Sequence, residues 1–315
     1  MSAALLTLHQ VVLMLLLIAV GAWCVRLHWF TEAFAQSLSK FLLGFVTPAL
    51  LIDAFYQPFD RIQARNLMLA ALLGILFHLI AVLLAQLLVR YGQADTCAVA
   101  RMGAVYSNCG FMAFPLVRAV LGEEGVFLGS AFVGMFNVFL WTHGRALLLG
   151  RQGICLRKAI CNPGVLGTIA GMLLYFLRIP LPGIAQDLIS SLASLNTPLA
   201  MIVTGIFLSK CRPRTLLCGR VLYPAILRMV VLPLAFVGLL VLLGVPHWGQ
   251  NGAALMLVVS LCASCPSAAS TVLMTSSLGM DSSYGARIIF AASALSVLTI
   301  PLISLCVSAV CAGAV

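Results

Sequence analysis

The sequence predicts an all-α polytopic membrane protein, first of all from its composition. Of the 315 residues, 63% are hydrophobic and only 8% are charged, and the mean hydropathy is +1.13. A soluble globular domain is about 45–50% apolar and about 25% charged, so it could not bury this much apolar surface. The apolar residues also fall into runs of about 20, which is the length that a helix needs to cross a bilayer. The lipid bilayer is therefore the predicted surrounding of the chain.

Ten spans are predicted from the apolar runs and from the Gly, Pro or charged residues that interrupt them. The longest charged connection, 145–158, falls near the middle of the chain and separates two predicted units, 1–150 and 151–315. We find no stretch long enough for a separate soluble domain, which excludes ATP-hydrolysing or signalling modules within this sequence. The ten spans lie at about 5–25, 37–57, 67–90, 99–120, 125–149, 162–178, 188–209, 221–243, 250–277 and 286–311.

The net charge of +10 predicts a membrane orientation and not a nucleic-acid partner. Thirteen Lys and Arg residues lie in the loops after odd-numbered spans or at the adjoining span ends, against four on the other side. Cytoplasmic loops of membrane proteins carry an excess of Lys and Arg. We therefore expect the odd loops in the cytoplasm and both termini on the extracytoplasmic side of the cell membrane, whether plasma or inner membrane.

Two pairs of matching motifs predict an internal repeat of five spans. Thr47-Pro48 in the second span recurs as Thr197-Pro198 in the seventh, 150 residues later. Leu121-Gly122 after the fourth span, followed by an acidic pair, recurs with an offset of 157 as Leu278-Gly279 after the ninth, followed closely by Asp281. Because five is odd, the second repeat must be inverted in the membrane. Inverted repeats of this kind are typical of secondary transporters.

The fourth and ninth spans are each predicted to break near their middle. Small polar residues stand beside Gly or Pro at 106–115 and 262–271, inside otherwise apolar runs. Proline removes a backbone donor, and unpaired backbone groups at membrane depth are tolerated only beside protein or a watery cavity. The amino ends of half-helices suit an anion, so two matched breaks indicate a substrate site at the midplane. The alternative is a pair of kinked helices that only pack closely.

Three motifs resemble the auxin efflux carrier family of membrane transporters. The segment S-N-C-G-F-M-A-F-P-L at 107–116 is similar to that family's S-N-x-G-F-x-G-x-P-L pattern, and T-P-A-L-L at 47–51 and N-P-G at 162–164 also fit. The resemblance covers essentially the whole chain. It implies a fold like that of bile-acid and sodium–proton transporters, with ten helices in two inverted five-helix repeats. Spans 1, 2, 6 and 7 would form a scaffold, and spans 3–5 and 8–10 a moving domain in which broken helices 4 and 9 cross.

The same resemblance implies small organic anions as substrates, such as malate, malonate or the auxin indole acetate, and suggests a homodimer through the scaffold. Two departures matter. Plant members have Asn-Pro at the first crossing, where this chain has Asn108-Cys109-Gly110, and their third-span Asp and Lys have no counterpart here. The ionisable candidate in that span is His78. A requirement for Na⁺ or H⁺ as coupling ion is therefore not implied, and no cofactor is predicted.

Asn108 is the strongest candidate for substrate binding. A carboxamide can donate to a carboxylate without placing a permanent charge in the membrane; the alternative is that Asn108 caps the half-helix. Ser107, Gly110, Pro266 and Ser267 complete the predicted crossing. For these four, close helix packing is the alternative role.

Four residues outside the crossing are further candidates for the substrate site. The resemblance implies that Thr47, Asn196 and Thr197 on the scaffold spans line the opposite wall of the cavity. Hydrogen bonds to their own helices are the alternative. Asn137 in the fifth span could contact substrate, although an inter-helix hydrogen bond is the commoner role of such a residue.

Asp53 and His78 are the candidates for proton coupling. A carboxylate at a helix centre costs about 2.5–3.5 kcal/mol, so Asp53 needs an explanation, which could also be the outer interface or an outer arginine. A histidine such as His78 can relay protons, but it is more often held structurally. Arg228, inside the eighth span, is interpreted as an interfacial anchor, with attraction of anions to the cavity mouth as the alternative. The Cys262 and Cys265 pair lies in a span without a nearby histidine and is not a predicted metal site.

The resulting prediction is a secondary active or facilitative transporter that moves a small organic anion by alternating access. A cation–proton or sodium-coupled exchanger on the same fold is the alternative within transport, but the crossing lacks the carboxylate pair that such chemistry favours. A ligand-binding sensor or accessory subunit is the alternative from another class. The sequence shows no Gly-rich phosphate loop and no H-E-x-x-H motif, so an enzyme is not predicted.

Overall fold

The computed structural model describes residues 2–153, 157, 160–209, 211, 218–249, 251–278, 280 and 282–313. Regular secondary structure in this part of the chain is helical, apart from one isolated β-bridge. The Gly279 and Asp281 positions of the predicted repeat lie outside the described residues. The main helices are α1 Ala3–Arg26, α2 Glu32–Phe55, α3 Arg61–Leu88, α4 Ala94–Val105, α5 Cys109–Leu149, α6 Pro163–Leu177, α7 Gly183–Leu208, α8 Gly219–Leu242, α9 Gly252–Ala263, α10 Ser270–Ser277 and α11 Ser282–Ala312.

Seven of these helices are long and apolar enough to cross a membrane, namely α1, α2, α3, α5, α7, α8 and α11. Helices α6 and α9 are apolar but shorter, with 15 and 12 residues. The prediction of an all-α, multi-pass membrane protein is confirmed. The count differs from ten because the predicted fourth and ninth spans are divided at their breaks, because α5 includes parts of two predicted spans, and because α6 is short.

Helix α5 consists of two rods that fold back on each other at Gly122. This glycine has φ 63° and ψ −148°, a conformation that is essentially restricted to glycine. Val117 before the bend contacts Gly129 after it, with 3.6 Å between the Val117 side chain and the position of a Cβ on Gly129. In a straight helix these residues would be about 18 Å apart. The bend therefore returns the second rod alongside the first.

Glycines allow close crossings between helices that are distant in sequence. Gly21 on α1 lies against the backbone of Ile202 on α7, and Gly205 on α7 lies against the backbone of Ile18 on α1. Neither site has room for a Cβ. Gly167 on α6 approaches the backbone of α2 in the same way. Small residues permit such close contacts between membrane helices, where van der Waals packing drives association.

Helices α2 and α8 each contain one widened π-turn, at Leu42–Val46 and Leu227–Val231. Pro48 and Pro233 follow these turns closely. A proline has no N–H for the carbonyl four residues earlier, so the regular hydrogen-bond ladder cannot continue through either site. The second of these turns contains Arg228, whose side chain is buried.

Candidate functional site

The unwound segments between α4 and α5 and between α9 and α10 meet and pair with each other. The backbone N–H of Asn108 donates to the carbonyl of Pro266 at 2.6 Å. The backbone N–H of Ala268 donates to the carbonyl of Tyr106 at 2.9 Å. These reciprocal bonds satisfy backbone groups that the interrupted helices leave free, as burial requires. The two segments thus form a crossing.

Ser107 and Ser267 lie opposite each other at the centre of this crossing, as an antiparallel β-bridge. Both residues are buried. The Ser267 hydroxyl donates to the carbonyl of Gly103, in the last turn of α4, at 2.7 Å. The crossing therefore brings together four of the residues proposed from the sequence, which are Ser107, Asn108, Pro266 and Ser267.

Arg228 holds the crossing from the side of α8. Its side chain is 0% exposed. Its Nε donates to the carbonyl of Cys265 at 3.0 Å, its Nη1 to that of Val105 at 3.1 Å, and its Nη2 to that of Ala263. The interpretation of Arg228 as an interfacial anchor is therefore wrong. The available signal in the sequence is an arginine that lies inside the predicted apolar span 221–243.

A cavity of about 420 Å³ lies beside the crossing. It is bounded by α2, by both rods of α5, by the start of α6, by α7 and by α10. Five of the residues proposed from the sequence line it, whereas Pro266, Ser267, Asn196 and Thr197 are not among its lining residues. The polar residues that line it are Gln36, Ser39, Lys40, Thr47, Ser107, Asn108, Asn137, Trp141, Arg145, Asn162 and Ser270, together with Gly110 and Gly164.

The cavity has a positive electrostatic character. Lys40 and Arg145 line it, and no Asp or Glu stands among its described lining residues. The amino ends of α5, α6 and α10 also face it, at Asn108, Asn162 and Ser270. A helix amino end carries partial positive charge and unpaired N–H groups, which favour an anion. The charge pattern therefore suits an anionic ligand.

Several polar groups in the cavity wall have no partner within the described part of the chain. Asn108 occupies the capping position of α5, but its side chain makes no capping hydrogen bond. Buried atoms without a partner include Thr47 Oγ1, Asn137 Nδ2, Arg145 Nε and Ser270 Oγ. Buried polar groups are normally hydrogen-bonded, so these four residues keep unused hydrogen-bonding capacity beside the cavity.

Asn196 and Thr197 contact the crossing instead of lining the cavity. Asn196 Nδ2 donates to the carbonyl of Gly110 at 3.1 Å, and Thr197 Oγ1 donates to that of Phe111 at 3.2 Å. Both carbonyls belong to the first turn of α5. The Phe111 carbonyl would ordinarily accept from residue 115, which is a proline without an N–H. Helix α7 therefore supplies the missing donor.

The two proton-coupling candidates lie away from the cavity lining. His78 is buried on α3, and its Nδ1 lies 2.7 Å from the carbonyl of Gly74, one turn earlier. Asp53 is partly buried, towards the end of α2. The nearby Arg118 forms an ion pair with Glu123 at 2.8 Å. Neither candidate reaches the crossing directly.

A multi-pass helical chain with a cavity beside two paired, unwound segments has the architecture of a membrane transport protein. The family model described as "membrane transport protein" matches residues 6–155 and 152–304, and the chain belongs to this family, which is that of the auxin efflux carriers. An uncharacterized transporter of Methanothermobacter thermautotrophicus is 23% identical over 300 residues, covering 93% of this chain and 96% of that protein. The family resemblance found in the sequence is thus confirmed.

Proposed function

We propose that the protein carries a small organic anion across the membrane by alternating access, either facilitated or coupled to a gradient. A carboxylate such as malate, malonate or an auxin-like acid is the proposed substrate class. The observation that carries the proposal is the cavity, which Lys40 and Arg145 line and whose described lining residues include no carboxylate. An anion entering this cavity is attracted by these two cations and is not repelled by any described lining carboxylate.

In the proposed binding mode, charged side chains attract the anion and neutral hydrogen-bond donors at the crossing bind it. Lys40 is exposed and Arg145 half-buried, so the cations can draw an anion into the cavity. At the crossing, the Asn108 carboxamide and the amino end of α5 offer donors without a full charge. Asn137 and Thr47 line the same cavity, and each carries a buried polar atom without a partner among the described residues. Neutral donors hold a carboxylate less tightly than a buried cation would, which favours release on the other side.

The proposed architecture is the ten-helix inverted repeat. The two rods of α5 would serve as the second half of span 4 and as span 5, and α9 with α10 would serve as span 9. Buried His78 on α3 and buried Arg228 on α8 support the repeat, because 228 − 78 = 150 is the same offset as 197 − 47 = 150 for Thr47 and Thr197. The units would be 1–150 and 151–315, with α1, α2, α6 and α7 as the scaffold and homodimer surface.

The proposed orientation places this state open to the cytoplasm. Lys40 and Arg145 belong to the basic residues that the positive-inside rule assigns to the cytoplasmic side of the cell membrane. Since both line the cavity, its mouth would face the cytoplasm and both termini would lie outside. Alternating access then requires the crossing to move relative to α2 and α7.

A cation–proton exchanger fits the site less well. Such an exchanger needs a carboxylate or histidine that reaches the transported ion. Asp53 and His78 are the candidates, and neither is among the residues that line the cavity. A sensor or accessory subunit would bind the anion without moving it, so flux separates that class from a transporter.

The test is counterflow in proteoliposomes loaded with malate, malonate, succinate or indole acetate, following uptake of the labelled compound. We expect saturable exchange, which Asn108→Ala lowers by about tenfold to hundredfold, as for a hydrogen bond to a charged group. Asn251→Ala is the matched control. Asn251 precedes α9, at the end of that helix away from the crossing, and its amide donates to Glu124 of α5. Absence of exchange with every carboxylate would overturn the proposal.

A further inference from the structure

The acceptors of the Arg228 guanidinium are main-chain carbonyls at two helix ends. Val105 is the last residue of α4, Ala263 is the last residue of α9, and Cys265 follows in the unwound segment. Carbonyls at a helix carboxyl end have no donor in their own helix and carry the negative end of its dipole. The positive charge of Arg228 therefore offsets the negative dipole ends of both α4 and α9 at one position.

Nothing else in the described part of the chain balances this charge by an ion pair. The ion pair present there joins Arg118 and Glu123 at the surface. The other neighbour of Arg228 is the ring of Phe77, whose centroid lies 5.3 Å from Cζ and attracts a cation through its π face. A fully buried arginine in a membrane helix is costly. The two helix ends are what make its position favourable.

In secondary transporters, unwound carbonyls and half-helix carboxyl ends are the groups that coordinate a coupling Na⁺ or H⁺. Here Arg228 donors already occupy carbonyls of this kind. We infer that Arg228 is a tethered cation, which replaces a mobile coupling cation at the crossing, so that anion transport by this chain does not require Na⁺. This inference rests on the proposed anion transport and assigns its ion dependence.

The negative and positive ends of the broken helices face different groups. The carboxyl ends of α4 and α9 face Arg228, whereas the amino ends of α5 and α10 face the cavity at Asn108 and Ser270. In the proposed architecture α4, α8 and α9 all belong to the moving domain. The tethered cation therefore travels with the crossing and is never released. A mobile ion would have to bind and dissociate in each cycle.

The experiment compares wild type, Arg228→Gln and Arg228→Lys in the proteoliposome assay with Na⁺ or with choline as the cation. Glutamine keeps an amide donor but removes the charge, while lysine keeps the charge. We expect equal wild-type flux in Na⁺ and in choline. We expect Arg228→Gln to lose about tenfold or more in choline, because buried carbonyls are left without donors. Added Na⁺ or guanidinium ion should restore flux, and neutral urea should not.

Two results would overturn the inference. One is a wild-type flux that falls when choline replaces Na⁺. The other is an Arg228→Gln flux that matches wild type in choline. If Arg228→Gln cannot be purified, Arg228→Lys carries the test: most of its flux should persist in choline, and a loss that neither Na⁺ nor guanidinium reverses counts against the tethered cation.

A second readout separates this inference from the proposed function. If wild type exchanges no carboxylate in either cation, the transport proposal fails, and the thermal unfolding midpoint then decides the role of Arg228. The wild-type midpoint should be the same in Na⁺ and choline, whereas Na⁺ or guanidinium should raise that of Arg228→Gln. A wild-type midpoint that rises with Na⁺, or a variant midpoint that ignores both cations, would contradict the inference.

Discussion

The Thr197 hydroxyl donates to the carbonyl oxygen of Phe111 at 3.2 Å, and so joins α7 to the first turn of α5. Asn196 makes the neighbouring bond to Gly110. Pro115 cannot serve the Phe111 carbonyl, so this oxygen depends on α7 for its donor. If the crossing moves against the scaffold during transport, these bonds exist in one state and are broken in the other. They would act as a latch on the state seen here.

Replacing Thr197 with valine should therefore weaken this state. Loss of one hydrogen bond costs about 1 kcal/mol, which corresponds to about a fivefold change in the populations of two states. The backbone amides of residues 107–114 and 116 should then exchange hydrogen for deuterium faster in the reconstituted protein. Thr197→Ser, which keeps the hydroxyl, is the control and should exchange like wild type. Identical exchange in Thr197→Val and Thr197→Ser would show that the bond does not hold the state.

The positions of the two breaks could be predicted from the sequence because their signals are local. Gly, Pro and small polar residues inside apolar runs interrupt a helix regardless of the tertiary packing around it. Ser107 and Ser267 were therefore identified as parts of one crossing, and the structure pairs them. The all-α class follows from the composition together with the length of the apolar runs.

The partners of Arg228, Lys40 and Arg145 could not be predicted in the same way. The acceptors of Arg228 are carbonyls from α4 and α9, and backbone groups have no signature in a sequence. Lys40 and Arg145 counted only as indicators of orientation, because their place at one cavity depends on how α2 and α5 pack. The family resemblance places Asn196 on the cavity wall, whereas its amide donates to the α5 backbone.

Gly164 at the start of α6 fixes the position of Asn137 in the cavity wall. A Cβ on Gly164 would lie 3.1 Å from the Asn137 carboxamide, so Gly164→Ala should displace that side chain by a few tenths of an ångström. We expect the apparent KM for the carboxylate to rise about fivefold, as for about 1 kcal/mol of overpacking. Gly238→Ala, where a Cβ meets nothing within 4 Å, should leave KM unchanged. An equal KM in both variants would remove Asn137 from the site.

Gly122 permits the sharp return of α5, and its substitution should affect stability before it affects binding. Its φ of 63° and ψ of −148° are strained for any residue with a Cβ, at a cost of about 1–3 kcal/mol. Gly122→Ala should therefore lower the thermal unfolding midpoint in detergent. Gly44→Ala has open space and no positive φ, and should unfold like wild type. If both variants unfold at the wild-type temperature, residue 122 does not need the glycine-specific conformation, and the prediction is wrong.

Lys40 and Arg145 should determine how anions reach the cavity. Each carries a positive charge on the cavity lining, so Lys40→Gln and Arg145→Gln should each raise the apparent KM for a dicarboxylate about fivefold to tenfold at low ionic strength. The rise should shrink with added salt, because the screening length falls from about 30 Å at 0.01 M to about 10 Å at 0.1 M.

Arg90→Gln is the matched control for this pair, since Arg90 is exposed at the end of α3, outside the cavity lining, and bonds to the carbonyl of Gln86. It removes the same charge and should leave KM within error of wild type. Lys40→Arg should keep the wild-type KM, because it preserves the charge. If Arg90→Gln raises KM as much as Lys40→Gln does, the effect comes from net charge, and the cavity cations have no particular role in capturing the anion.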